Sequence, residues 1–251
     1  KALQLTNKFE SFKAMGKQNG FLFYIPAWNT SKIDPVTGYV NFFDTRYESV
    51  GKTKEFFEKF KEIRYNPEKD YFEFVVDNYT AYNPKAEGTR QNWTICTNGD
   101  RIKTFRNEKK NSEWDNEIVI LTQAFKEFLK NHNIDFTGRD LKSKILVQDD
   151  KKFFEELLHL FKLTVQMRNS ITNSETDYMI SPVAGKNGNF YDSRKAPDYL
   201  PKDADGNGAY NIARKGLWVI EQIKKSGEDV KNLKLAISNR EWLQFAQNQD
   251  H

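Results

Sequence analysis

Three rhythms of hydrophobic and polar residues run along the chain. Leu5, Phe9 and Phe12 fall at helical spacing and predict a short N-terminal helix ending near Gly16. Gly20 to Ile25 is instead an unbroken apolar run of strand length, as in a strand buried on both faces. Thr53 to Phe60 predicts a helix with Phe56, Phe57 and Phe60 inward. Ile63–Tyr65 and Tyr71–Asp77 flank the turn-forming Asn66-Pro-Glu-Lys-Asp70, and Phe72, Phe74 and Val76 alternate as a half-buried strand does. Asn98-Gly99 between Trp93–Thr97 and Arg101–Arg106 predicts a second hairpin.

Helical spacing returns further on. Leu121, Phe125, Phe128 and Leu129 mark a helix over Leu121–Lys130, and Phe154, Leu158, Phe161 and Val165 mark a longer one from Lys151 to Met167. Ala209, Ile212, Ala213, Gly216, Ile220 and Ile223 predict a buried face on a helix reaching about Lys225. Ile237–Ala246 closes the chain, with Ser238 or Asn239 as cap. Asp34-Pro-Val-Thr-Gly38 has turn chemistry, and Ala184–Asn189 reads as a polar loop. These elements predict an α/β (α+β) protein with a discontinuous first domain: residues 1–25 and 204–251 belong together, and 26–203 form an inserted α+β unit.

Composition narrows the class. At 251 residues the chain has room for one large or two modest domains. Mean hydropathy of −0.79 and the lack of any apolar run near about 20 residues exclude a membrane span. The start, Lys1-Ala-Leu-Gln-Leu, has no initiator Met and no signal-peptide core, and it reads as the interior of a longer protein. One cysteine, Cys96, with three scattered histidines makes neither a disulfide nor a zinc constellation and suits a reducing, cytoplasmic compartment. His132 and His159 read as structural. A net charge of +4 is compatible with a nucleic-acid partner, and the twenty Phe, eleven Tyr and five Trp supply core and stacking surface alike.

Two stretches carry candidate chemistry. Asp203-Ala-Asp-Gly-Asn-Gly208 reads as a glycine-flexed acidic loop running into a helix, with Asn207 as cap and Asp205 held where a carboxylate takes a hard cation such as Mg²⁺. A capped helix with solvent-exposed aspartates is the plainer reading, and spacing alone does not decide between them. Arg168 follows three residues after Val165 on an apolar helical stripe, where a charge needs a fixed anionic partner; a phosphate or a carboxylate such as Asp177 would serve. The basic run Arg101, Lys103, Arg106, Lys109 and Lys110 reads more readily as a solvated strand face than as a phosphate track, and Arg214 and Lys215 as a solvated helix face.

The pattern Asp205-x-Asn-Gly-Ala-Tyr-x-Ile-Ala-x-Lys215 resembles the third RuvC motif of the type V-A CRISPR RNA-guided DNA endonucleases. Gly20–Pro26, Thr30–Gly38, Gln166-Met-Arg-Asn-Ser170, Ile180-Ser-Pro-Val183, Tyr191-Asp-Ser-Arg194 and Ile237–Leu243 resemble that family in the same order. The resemblance implies pieces of an RNase H-like RuvC domain enclosing a Nuc domain. It implies Asp205 as a catalytic Mg²⁺ ligand, Arg168 as an arginine needed for cleavage and Asp177 as an acid beside it. Asn169 and Ser170 in the same block are candidate contacts to the strand: the Ser170 hydroxyl can donate to a phosphate oxygen, although a serine just beyond a helix more often caps or solvates. It also implies a guide RNA, a target DNA and the remainder of the same effector as partners. The first two RuvC motifs, with their Asp and Glu, are not found here, so this piece alone is expected to be inactive. Asp192 matches the family too, although a local turn network explains it equally; Asp203 is the weakest of the acids. Two alternatives stand beside this reading: a non-catalytic nucleic-acid-binding module, and a transposon-encoded RuvC-like nuclease, which normally carries paired cysteines absent here.

Overall fold

The computed structural model describes residues 2–5, 20–23, 25–80, 90–108, 113–138, 140–171, 177–226 and 236–248. Phenylalanine builds most of its larger core. Phe161 is fully buried, with the rings of Phe43, Phe56, Phe57, Phe60 and Phe74 around it at centroid separations of 5.1–5.9 Å. Such offset and edge-on contacts add to the burial of each ring. The rings arrive from helix α1 (Val50–Glu58), strand β4 (Tyr71–Thr80), helix α4 (Lys151–Thr164) and the segments just before and after α1, which carry Phe43 and Phe60. Side-chain caps start both helices: Ser49 accepts from Lys52 N, and Asp150 accepts from Phe153 N.

Strand β3 (Glu62–Asn66) pairs antiparallel with β4, placing Ile63 opposite Phe74 and Tyr65 opposite Phe72, as the alternation requires. β4 then pairs with β5 (Arg90–Cys96), and helices α2 (Leu121–Asn131) and α3 (Leu141–Leu146) complete the same core. Cys96 is buried and free.

The Asn98-Gly99 hairpin does not form. β5 stays with β4, while β6 (Asp100–Asn107) pairs with β7 (Glu113–Ile120) as a separate two-stranded ribbon. A type I′ turn needs positive φ at both central residues and a type II′ turn at the first, and of Asn98-Gly99 only the second residue (φ +72°) has it. Arg101 supplies the competing pull. Its fully buried guanidinium donates to the carbonyls of Asn98, Asp100, Thr164 and Gln166, drawing β6 onto the end of α4. The same contacts end α4 at Thr164, earlier than Met167, so Arg168 lies beyond the helical stripe in a two-residue strand β8 (Arg168–Asn169). β8 pairs with β9 (Tyr178–Ala184), which pairs with β10 (Phe190–Asp192).

Helix α5 (Ala204–Ser226) begins at Ala204, not Ala209. Asp203 caps it in place of Asn207: its Oδ1 accepts from Gly206 N at 2.6 Å. Gly206 and Gly208 are therefore helical, and the acidic loop expected around Asp205 is the first helical turn. The buried face also differs. Asn207, Asn211, Arg214, Lys215 and Val219 face inward, whereas Ile212 and Ile220 are 38% and 39% exposed. The surface they meet explains the reversal, because residues 26–35 present bare carbonyls. Asn207 donates to Ile33 O, Asn211 to Thr30 O, Arg214 to Pro35 O, and Lys215 to the carbonyls of Pro26 and Trp28. Polar donors at helical spacing thus satisfy backbone acceptors that aliphatic side chains would leave unpaired.

A second, smaller core joins Ile33, Val40 and Phe42 to Ile237, Trp242, Leu243 and Ala246. The last four belong to or precede helix α6 (Asn239–Gln247), which Ser238 and Glu241 start with a reciprocal capping box. This core draws residues from both sides of the 203/204 division. The Asp34 turn lies at its edge, with the Asp34 carboxylate accepting from Val36 N, Thr37 N and Thr37 Oγ1. At the other end, Leu5 closes strand β1 (Ala2–Leu5), which pairs antiparallel with β2 (Gly20–Phe23); Phe9 and Phe12 of the expected helix lie outside the described residues. The molecule is a mixed α+β structure with small antiparallel sheets. Among the described residues, no helix is long and apolar enough to cross a membrane.

Candidate active site

Every residue next to Arg168 is held from two directions. Met167 O accepts from Ile180 N and from Asn169 Nδ2. Asn169 Oδ1 accepts from Ile102 N at 2.9 Å and from Gln166 Nε2 at 3.2 Å, and the same Gln166 amide donates to Ile102 O. Arg101 Nε reaches Gln166 O at 2.6 Å. This lattice fixes the backbone of β8 and leaves the Arg168 side chain 47% exposed.

The Arg168 guanidinium lies between two carboxylates. Its Nε is 2.5 Å from Asp177 Oδ2, and its Nη2 is 3.3 Å from Asp205 Oδ1. The two acids come from different elements, joined by the backbone: Ala204 N, at the start of α5, donates to Asp177 O at 3.0 Å. Asp177 therefore pins the helix with its carbonyl while pairing Arg168 with its carboxylate. Burial pushes the Asp177 carboxyl upward, but hydrogen bonds from Ser170 and Arg168 outweigh that and hold it below the ordinary carboxylate range. Asp205 is 89% exposed. Among the described residues, Nη1 of Arg168 has no acceptor, so the fork keeps a donor for an incoming anion.

The other candidates divide. Ser170 joins the cluster through Asp177, and its carbonyl accepts from Asn116 Nδ2. Asn169 does not reach the open face: it is fully buried with its amide engaged inside the lattice. Asp192 accepts from Arg194 N and Nε in a local turn, and Asp203 is a helix cap. Lys103 pairs with Glu117, and Arg106 lies over the Trp114 ring; Lys109 and Lys110 fall outside the described residues. Arg101, Arg214 and Lys215 are buried instead of solvated, for the carbonyls they serve. His132 packs between Phe128 and Phe153.

A second polar network borders the first. Arg194 forks Asp100 (2.9 Å) and Asp192 (2.8 Å) with its guanidinium 4.2 Å from the Tyr178 ring centre, and Tyr178 donates to Asp100 Oδ2. The Asp192–Arg194 turn is local in sequence; Tyr178 comes beside it because β9 pairs with β10, and no spacing brings in Asp100. Burial raises the Asp100 carboxyl, and Arg194 and Tyr178 more than reverse it.

Asp205 offers an exposed carboxylate, a hard-oxygen donor of the kind a divalent cation takes. Among the described residues, no group of three or more His, Cys, Asp or Glu side chains surrounds such a position. Residues 33–195 match a known protein family described as a nuclease domain. The match includes Arg168 and Asp177 and ends before Asp205.

Proposed function

The chain belongs to this nuclease-domain family, and on that premise we propose that it is the Nuc-containing portion of a type V-A RNA-guided DNA endonuclease, acting in the prokaryotic cytoplasm. The observation that carries the reading is the position of Arg168 between Asp177 and Asp205. Asp177 orients the guanidinium, whose open nitrogen takes a phosphate oxygen of the DNA strand. Ser170, already turned to Asp177, lies beside the same phosphate position. Asp205 would hold Mg²⁺ jointly with acids that the resemblance assigns to earlier RuvC motifs of the same effector. That cation supplies water activation and neutralisation of the leaving oxygen when bound. Without Mg²⁺, Arg168 compensates the Asp205 charge.

Guide pairing selects the target in this reading, and the protein holds the strand. The 251-residue chain alone does not cut, because the acids completing the cation site belong to the first two motifs. The test is cleavage of end-labelled target DNA by the complete effector, with and without guide RNA and with Mg²⁺ or EDTA. Guide-dependent, EDTA-sensitive cutting of both strands is expected. Guide-independent cutting, or equal cutting by the isolated chain, overturns the proposal.

A further inference from the structure

A cleft of about 860 Å³ opens beside the Arg194 network, within the range of sites that hold small molecules. Its lining combines rings, amides and cations. Tyr199 is 76% exposed on the turn that follows Pro197, and Phe190 is half-buried, braced edge-on by Tyr71 at 5.7 Å. Asn187 and Asn189 come from the 184–189 loop, and Lys195 is exposed at the rim. The two carboxylates in the wall, Asp100 and Asp192, are both bound by Arg194, and Lys195 is the exposed cation at the mouth.

The cleft is linked to the Arg168 pair through the chain. Asp177 and Tyr178 are consecutive, and Tyr178 bonds Asp100 in the cleft wall. We infer that this cleft binds one nucleotide of a single-stranded nucleic acid next to the phosphate held by Arg168, with its base against Tyr199 and Phe190 and its phosphate at Lys195. This deepens the nuclease reading and rests on it. Stacking accepts any base, which suits a site whose sequence recognition lies elsewhere. A paired base presents only its edge, so the cleft prefers unpaired strands.

Fluorescence anisotropy of the chain with a short labelled oligothymidylate tests the inference. Tyr199→Ala at this exposed position is expected to weaken binding roughly 5- to 150-fold, the range of one lost base stack, whereas Tyr199→Phe stays near wild type. Lys195→Ala is expected to lower the slope of log affinity against log salt by about 0.7. Wild-type affinity in both the Tyr199→Ala and Lys195→Ala variants overturns the cleft. So does a wild-type chain that does not bind the oligonucleotide, or equal competition by duplex or by an aromatic peptide. Guide-dependent cleavage is measured separately, so the cleft can fail while the nuclease reading stands; loss of cleavage chemistry with binding intact marks the reverse.

Discussion

The Nη2 atom of Arg168 stands 3.3 Å from Oδ1 of Asp205, although one residue leaves a buried β-lattice and the other opens a helix. The contact exists because Asp177 accepts the first amide of that helix. As a half-exposed pair it contributes little to stability. Its significance is positional, since it sets a donor and an open carboxylate on the same face.

Arg168→Ala is expected to lower cleavage by the complete effector on the order of 10²- to 10³-fold, the usual loss when one transition-state donor is removed. Strand-labelled gels should show target-strand cutting fall first. The urea midpoint should move little.

Arg101→Met should act in the opposite way. It strips donors from four carbonyls, those of Asn98, Asp100, Thr164 and Gln166. About 3 kcal/mol of stability should be lost through the unsatisfied acceptors, read by urea unfolding. Asn169→Asp, which sets a carboxylate against Met167 O, should also destabilise; a change in KM at wild-type stability would return Asn169 to the substrate.

These cases show what a sequence carries. The phenylalanine periodicity of α1, α2 and α4 predicts their burial because apolar faces have one destination. Asp177 is the partner that the sequence offers Arg168, but not for the expected reason: Arg168 lies beyond the apolar stripe on an exposed strand, where β8–β9 pairing sets it beside Asp177. The fate of Asn98-Gly99 is not readable, since a buried arginine tied to the distant carbonyls of Thr164 and Gln166 decides it. The inward face of α5 is equally hidden: polar residues go inside only because the 26–35 segment presents carbonyls, and no local pattern encodes that.

Lys215 gives a pH signature. It is 1% exposed, and burial pushes its pKa from 10.5 down to about 8. Between those values the unfolded chain holds the extra proton at Lys215, so this lysine's contribution to stability rises with pH across about 8 to 10.5, by up to about 3 kcal/mol, against the opposing contribution of Cys96, whose buried thiol is pushed up to about 12. The stability difference between wild type and Lys215→Met should follow that rise. Chemical denaturation of both proteins across the interval checks it.

Gly38 tests how α6 is seated. Its φ is +71°, and a Cβ there would lie 2.5 Å from Ala246 O. Gly38→Ala should cost about 2 kcal/mol or more through strain and displacement of the helix. Amide exchange should show α6 protection falling before that of α4.

The most direct test is Asp205→Ala in the complete guide-loaded effector, with target binding and cleavage of each strand measured on the same preparation. Cleavage of both strands lost while target binding is unchanged is the predicted result. Cutting at the wild-type rate would contradict the assignment of Asp205, and with it the site built around Arg168.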